Sequence, residues 1–221
     1  MTIAEPVNEL CFIFDPLCGW CYAAHPVMQA LQERVAIPVR FLPSGLFSGT
    51  GAQLMTPEFR DYAWGHDQHI QQLTGQPFTA TYYRQVLNDF DSRFDSEPAT
   101  LAFHVLEQAA PSRALEALHR VQALRYVEGR DTTNPEVLAT LAPEFGLSRE
   151  AFLGAFSPTS VAWAQLRARV ATAQGLMQRL RVRGVPNLVL RRAGQDVPVP
   201  TAHLYRDPDG LVNWLKAALV A

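Results

Sequence analysis

Apolar positions divide the chain into three textures. The first begins with Glu9–Pro16, ELCFIFDP, a short apolar and aromatic run closed by Asp-Pro, which reads as a buried strand. From Cys18 to about Arg34, Tyr22, Val27, Met28 and Leu31 fall at helical spacing, so a helix is predicted to start at the cysteines. Ile37–Gly45, IPVRFLPSG, is strand-like again and breaks at Pro43. Strand, helix, strand is the order that lays two strands side by side in a parallel sheet.

From about residue 57 to 174 the chain is rich in Ala, Leu, Gln, Glu and Arg at helical spacing. PATLAFHVLEQAA, SRALEALHRVQALRYVEGR, TNPEVLATLAPEF and SREAFLGAF are predicted helices. Asn134-Pro135 supplies an N-cap and a proline at the first helical position, and Ser148-Arg149-Glu150 opens another helix. A further helix is predicted from Pro158 to about Arg181, with Gly175 as its weak point. Strand texture then returns: Asn187–Arg191 and Asp196–Pro200 flank a turn at Ala193–Gln195, a hairpin. The last helix, DPDGLVNWLKAALV, has Asp207 as cap, Pro208 at its first position and an apolar stripe of Leu211, Trp214, Leu215, Ala218 and Leu219. The whole reads as an α/β fold. Residues 1–56 and 175–221 build one sheet domain, and residues 57–174 are an all-helical insertion within it.

Composition narrows the function classes. A chain of 221 residues, 48% hydrophobic, can bury a full core. With 18% charged residues and a net charge of −2, it has no basic surplus for nucleic acid and no acidic tail. No apolar run is long enough to span a membrane. The start, MTIAEPVNEL, lacks the basic and long apolar stretches of a secretory signal, so a cytoplasmic location is expected. Three cysteines do not make a disulfide scaffold, and in a reducing compartment a spaced pair reads as chemistry or metal.

That pair is Cys18 and Cys21, in DPLCGWCY at a predicted helix start. Unpaired N–H groups and the positive end of the helix dipole favour a thiolate there. A free thiol titrates near ~8.5, and in such motifs the value falls to ~3.5–7.5. Cys18, at the helix end, is the expected attacker, and Cys21, one turn inside, the resolving thiol. A zinc site would need four ligands. It would have to be assembled from Cys11, His25, His66 and His69, because a second CxxC is missing. Two inert thiols are the bland alternative, and Cys11 itself reads as a buried small hydrophobe. Trp20 is either an apolar rim for a substrate or a side chain packed on its own domain. His25 either tunes Cys21 and carries a proton or is an ordinary half-buried imidazole. Asp15 either makes the turn and caps the helix or carries a proton, and Asp-Pro favours the turn. His66, His69, His104, His119 and His203 read as structural.

FDPLCGWCY followed by Pro26, the helix-rich middle and RGVPNLVL together resemble the DsbA family of thioredoxin-fold proteins. The likeness is greatest to its cytoplasmic FrnE-like branch, related to 2-hydroxychromene-2-carboxylate isomerases and kappa-class glutathione transferases. FDSEPATLAFHVLEQA and YVEGRDTTNPEVLATLAPEFGL resemble the family's helical insertion, so the likeness covers nearly the whole chain. It implies a thioredoxin-like fold with a large helical insertion. It implies a cis Pro186 facing the cysteines, with Val185 offering backbone to a bound peptide, and a helix-kinking Pro26. Two departures stand out. Phe12 occupies the position where thioredoxin-like proteins often carry a buried acid, and Cys18 stands where the glutathione transferases usually have serine.

The resemblance implies a thiol–disulfide oxidoreductase, of the disulfide-isomerase type, acting on protein or low-molecular-weight disulfides. Cys18 and Cys21 are its catalytic residues, and Trp20, Val185 and Pro186 its substrate-binding ones. It needs no metal and no resident cofactor, with glutathione as a candidate co-substrate. Neither nucleic acid nor membrane is an expected partner, and the chain is expected as a monomer or homodimer. Two rivals stay open: a glutathione-dependent isomerase or transferase on a small aromatic substrate, and a binding module whose cysteines are not turned over.

Overall fold

In the computed structural model, which describes residues 8–220, the first apolar run forms β1 (Glu9–Phe14), and the sheet grows outward from it. Residues 1–7, on which the expectation of a leaderless start partly rests, lie outside the described residues. β1 leads into α1 (Gly19–Ala23), α2 (His25–Arg34) and β2 (Val39–Pro43). The one helix predicted from Cys18 to Arg34 is therefore two. Pro26 lacks an N–H and its ring crowds the carbonyl four residues back, so the helical ladder is interrupted at Ala24.

The middle of the chain runs β3 (Gln53–Leu54), α3 (Pro57–Thr74), and α4 (Ala80–Tyr82) widening into a π-turn at Tyr83–Leu87. β4 (Arg93–Phe94), α5 (Glu97–Ala109) and α6 (Ala114–Tyr126) follow. α7 (Pro135–Leu138) tightens to a 3-10 helix over Ala139–Phe145 and precedes α8 (Arg149–Gly154) and α9 (Val161–Leu180). The caps read from sequence hold. Asn134 accepts from Glu136 N–H, and Ser148 accepts from Ala151 N–H. α3 is not among the helices predicted above. Thr56 caps it by accepting from Phe59 N–H, and Pro57 opens it. The chain closes with β5 (Asn187–Arg192), β6 (Gln195–Pro198), α10 (His203–Arg206) and α11 (Pro208–Val220). The hairpin turns on two residues, Ala193 and Gly194, both with positive φ (47° and 78°), the twist that suits a two-residue loop.

The strand order is β2-β1-β5-β6, with β1 parallel to β2 and antiparallel to β5. Both faces of β1 are covered, which explains its unbroken apolar run. Cys11 and Ile13 face Ala173, Leu176 and Met177 of α9. Leu10, Phe12 and Phe14 share the other core with Met28, Leu31, Phe41 and Phe103. α9 runs unbroken through residues 174 and 175, where the insertion was expected to end, because its apolar face lies on the sheet. Among the described residues no helix is long and apolar enough to cross a membrane.

Candidate active site

The site begins where β1 turns into α1. Asp15 is fully buried and makes this turn with both carboxylate oxygens. Oδ1 accepts from Leu17 N–H at 2.9 Å; Oδ2 accepts from Phe47 N–H at 3.1 Å and from the Ser96 hydroxyl at 2.8 Å. Burial pushes this carboxyl up from its ordinary value, and the hydrogen bonds oppose the shift. Asp15 is thus the turn-maker expected of Asp-Pro but not a helix cap. Cys18 itself is the N-cap of α1, in extended conformation (φ −90°, ψ 114°).

That conformation lets Cys18 reach across the fold. Its Sγ donates to the Val185 carbonyl at 3.5 Å, a contact between residues 167 apart in sequence. The Val185–Pro186 peptide bond is cis. Both cysteines of the motif are free thiols. They differ in surroundings: Cys18 is 7% exposed and lines a cavity, whereas Cys21 is 2% exposed, in the core. Burial first, and Cys18 second, hold the Cys21 thiol well above its ordinary value. Cys11 lies in the second core, its thiol pushed up to about 11 mainly by burial, which fits its reading as a small hydrophobe.

Two recesses flank the motif. The sheet-side recess, about 630 Å³, is lined by Trp20, Leu73, Val185, Pro186, Tyr205 and Arg206. The helix-side cavity, about 190 Å³, contains Cys18 and is walled by Phe47, Asp67, Tyr82 and Tyr126 among other rings. Trp20 belongs to both. Its ring lies 4.7 Å from Tyr205 and 6.4 Å from His69, so it is at once packed and a wall. His25 is not brought to the sulfurs by any hydrogen bond. Its ring packs on His119 at 4.0 Å, and burial, then His119, pushes it down to about 4. Among the described residues no cluster of three or more His, Cys, Asp or Glu is arranged for a metal.

Gly19 and Asp67 escaped the sequence reading. A Cβ on Gly19 would sit 2.6 Å from Asp67 Oδ1 and 2.9 Å from Ile70 Cδ1, so the glycine is what lets α3 press against the motif. Asp67 is 6% exposed, and its Oδ2 accepts from the Tyr82 hydroxyl at 2.9 Å. Burial raises its carboxyl to about 7, against the pull of Tyr82 and Arg125. The signal was present: in α3, Phe59, Ala63, Asp67 and Ile70 form one helical stripe, with an acid on its apolar side.

The geometry has close parallels. Cytosolic disulfide reductase DsbM from Pseudomonas aeruginosa is 34% identical, with a TM-score of 0.82 over 96% of this chain and 98% of that one. Its structure with GSH gives 33% identity and a TM-score of 0.81 over 96% and 100% of the two chains. HCCA isomerase, at 18% identity and a TM-score of 0.62 over 96% and 100%, shares the fold alone. No curated protein matches the chain. The family described as DSBA-like thioredoxin domain matches residues 9–203, and with that match the chain belongs to this family: α/β, a thioredoxin-like sheet carrying inserted helices, in the lineage of thiol–disulfide oxidoreductases.

Proposed function

We propose that the chain exchanges disulfides with protein or small-molecule substrates through Cys18 and Cys21, reducing them in the cytoplasm. The carrying observation is the placement of Cys18 Sγ in a cavity and within 3.5 Å of the Val185 carbonyl, with Cys21 buried just behind. The Cys18 thiolate attacks one sulfur of the substrate disulfide. A Cys18–substrate disulfide forms, and the other sulfur leaves with the electron pair. Cys21 then attacks Cys18 Sγ, forms the intramolecular disulfide and releases the second substrate thiolate. Two electrons have passed from the dithiol to the substrate, and an external thiol such as glutathione returns them. The raised Cys21 thiol keeps its proton until Cys18 is occupied, which separates attacker from resolver. Trp20, Val185 and Pro186 form the sheet-side recess where a substrate chain lies, the Val185 backbone pairing with it as an added strand.

The test is insulin-disulfide reduction with glutathione as electron source. Cys18→Ser is expected to fall to the uncatalysed rate, and unchanged turnover would reject the proposal. A second reading, a glutathione-dependent isomerase on a small aromatic substrate, is favoured by the ring-walled cavity at Cys18. It predicts glutathione binding and isomerisation that survive Cys21→Ala, a variant that halts disulfide exchange at the mixed disulfide.

A further inference from the structure

Asp15 and Asp67 are both buried acids beside the motif, but their surroundings differ. Asp15 has three hydrogen-bond donors spread over both oxygens, the arrangement of a structural pin. Asp67 has one described donor, the Tyr82 hydroxyl on Oδ2. Its Oδ1 lies against Gly19, the residue next to Cys18, and the carboxyl lines the same 190 Å³ cavity as the Cys18 thiol. A carboxyl held among aromatic rings with one donor is costly to bury, and as packing it adds little that a neutral side chain would not.

We propose that Asp67, contributed by α3, is the acid–base partner of Cys18, taking the thiol proton as Cys18 attacks and returning it to the leaving sulfur of the substrate. This rests on the disulfide-exchange reading above. The proton moves from Cys18 Sγ to the Asp67 carboxylate. The substrate S–S bond breaks as the Cys18–S bond forms, and the departing thiolate takes the proton from the Asp67 carboxyl. No other reactant is needed.

The physical reason is a shared, desolvated space. Asp67 and Cys18 line one small, ring-walled cavity, and burial there raises the Asp67 carboxyl, so it can hold a proton beside the sulfur. The groups facing Asp67 from the packed elements are Tyr82 on α4, Arg125 and Tyr126 on α6, and Cys18 at the motif, with His66 beside it on α3. Arg125 is 2% exposed, its guanidinium 5.4 Å from the Tyr82 ring and 5.1 Å from the Phe94 ring. It supplies a buried positive field that keeps the Asp67 carboxylate accessible. With the carboxyl at about 7, the proton can go either way at neutral pH.

The experiment follows Cys18 alkylation by iodoacetamide from pH 5 to 10 in a Cys21→Ala background, with mass spectrometry reporting modification at Cys18. The parent is expected to show a two-step profile with one step near pH 7. Asp67→Asn should remove that step. Tyr82→Phe, which deletes the hydroxyl holding the carboxyl down, should move it to higher pH. An Asp67→Asn profile of unchanged shape, even if uniformly slower, overturns the assignment. If Asp67→Asn does not fold, an unmoved step in Tyr82→Phe overturns it. Insulin reduction by the unsubstituted protein is measured alongside. Absence of turnover there sinks the exchange reading, while the alkylation profiles still decide whether Asp67 shares its proton with Cys18.

Discussion

The two sides of Cys18 are built from different materials. On the sheet side, the sulfur meets a backbone carbonyl, that of Val185, at the edge of an open recess of about 630 Å³. On the helix side it shares with Asp67 and a wall of rings a cavity less than a third that size, about 190 Å³. A carbonyl offers the same acceptor whatever residue carries it, so the sheet side suits binding that ignores sequence. Side chains that wall a cavity set size, polarity and proton affinity, so the helix side is where this chain can differ from others of the same fold. Asp15 joins the two: its partners Phe47 and Ser96 lie 32 and 81 residues away, and Phe47 is part of the ring-walled cavity.

That contrast can be broken at three points. The largest effect is expected at the joint. Asp15→Ala leaves Leu17 N–H, Phe47 N–H and the Ser96 hydroxyl without their acceptor. Each orphaned buried donor costs about 1–3 kcal/mol. Two of these donors are buried and the Phe47 N–H is half-buried, so urea unfolding should show a loss of at least about 2 kcal/mol; a loss below about 1 kcal/mol would mean that the two sides hold together without it. Next comes the helix side. Gly19→Ala places a methyl 2.6 Å from Asp67 Oδ1. The overpacking, about 1–3 kcal/mol, outweighs the gain of at most about 1 kcal/mol that alanine has over glycine in a helix. Thermal unfolding at lower temperature and slower Cys18 alkylation are expected together, and an unaltered protein would show that α3 does not press on the motif. The smallest effect belongs to the sheet side. Val185→Ala keeps the carbonyl, so insulin reduction should stay within about tenfold, ~1.4 kcal/mol. A loss as deep as that of Cys18→Ser would place recognition in the valine side chain instead.

Local features were legible and distant ones were not. The β1 run, the Asn134 and Ser148 caps, the hairpin and the Asp-Pro turn all act within a few residues, and all stand in the structure. The helix break at Ala24 was half visible: Pro26 was in plain view, but the apolar stripe across it suggested one continuous helix. His25 looked like a partner for the cysteines because it is four residues from Cys21. In the structure its ring packs against His119 of α6, a contact the sequence order does not show. Asp67 was readable as an acid on an apolar stripe, but nothing in the order of residues says which cavity that stripe faces.

Taken alone, the order of residues determined most of the elements, the cysteine pair at a helix start and, by resemblance, the fold. Propensity, capping and side-chain period act over one or two turns of chain, and those distances are written in the sequence. Only the tertiary structure decided that Cys18 meets Val185 across 167 residues, that Gly19 admits Asp67, and that His25 turns to His119. Those contacts are settled by how helices and sheet fill one another's space, a property of the packed whole that no single stretch of chain contains.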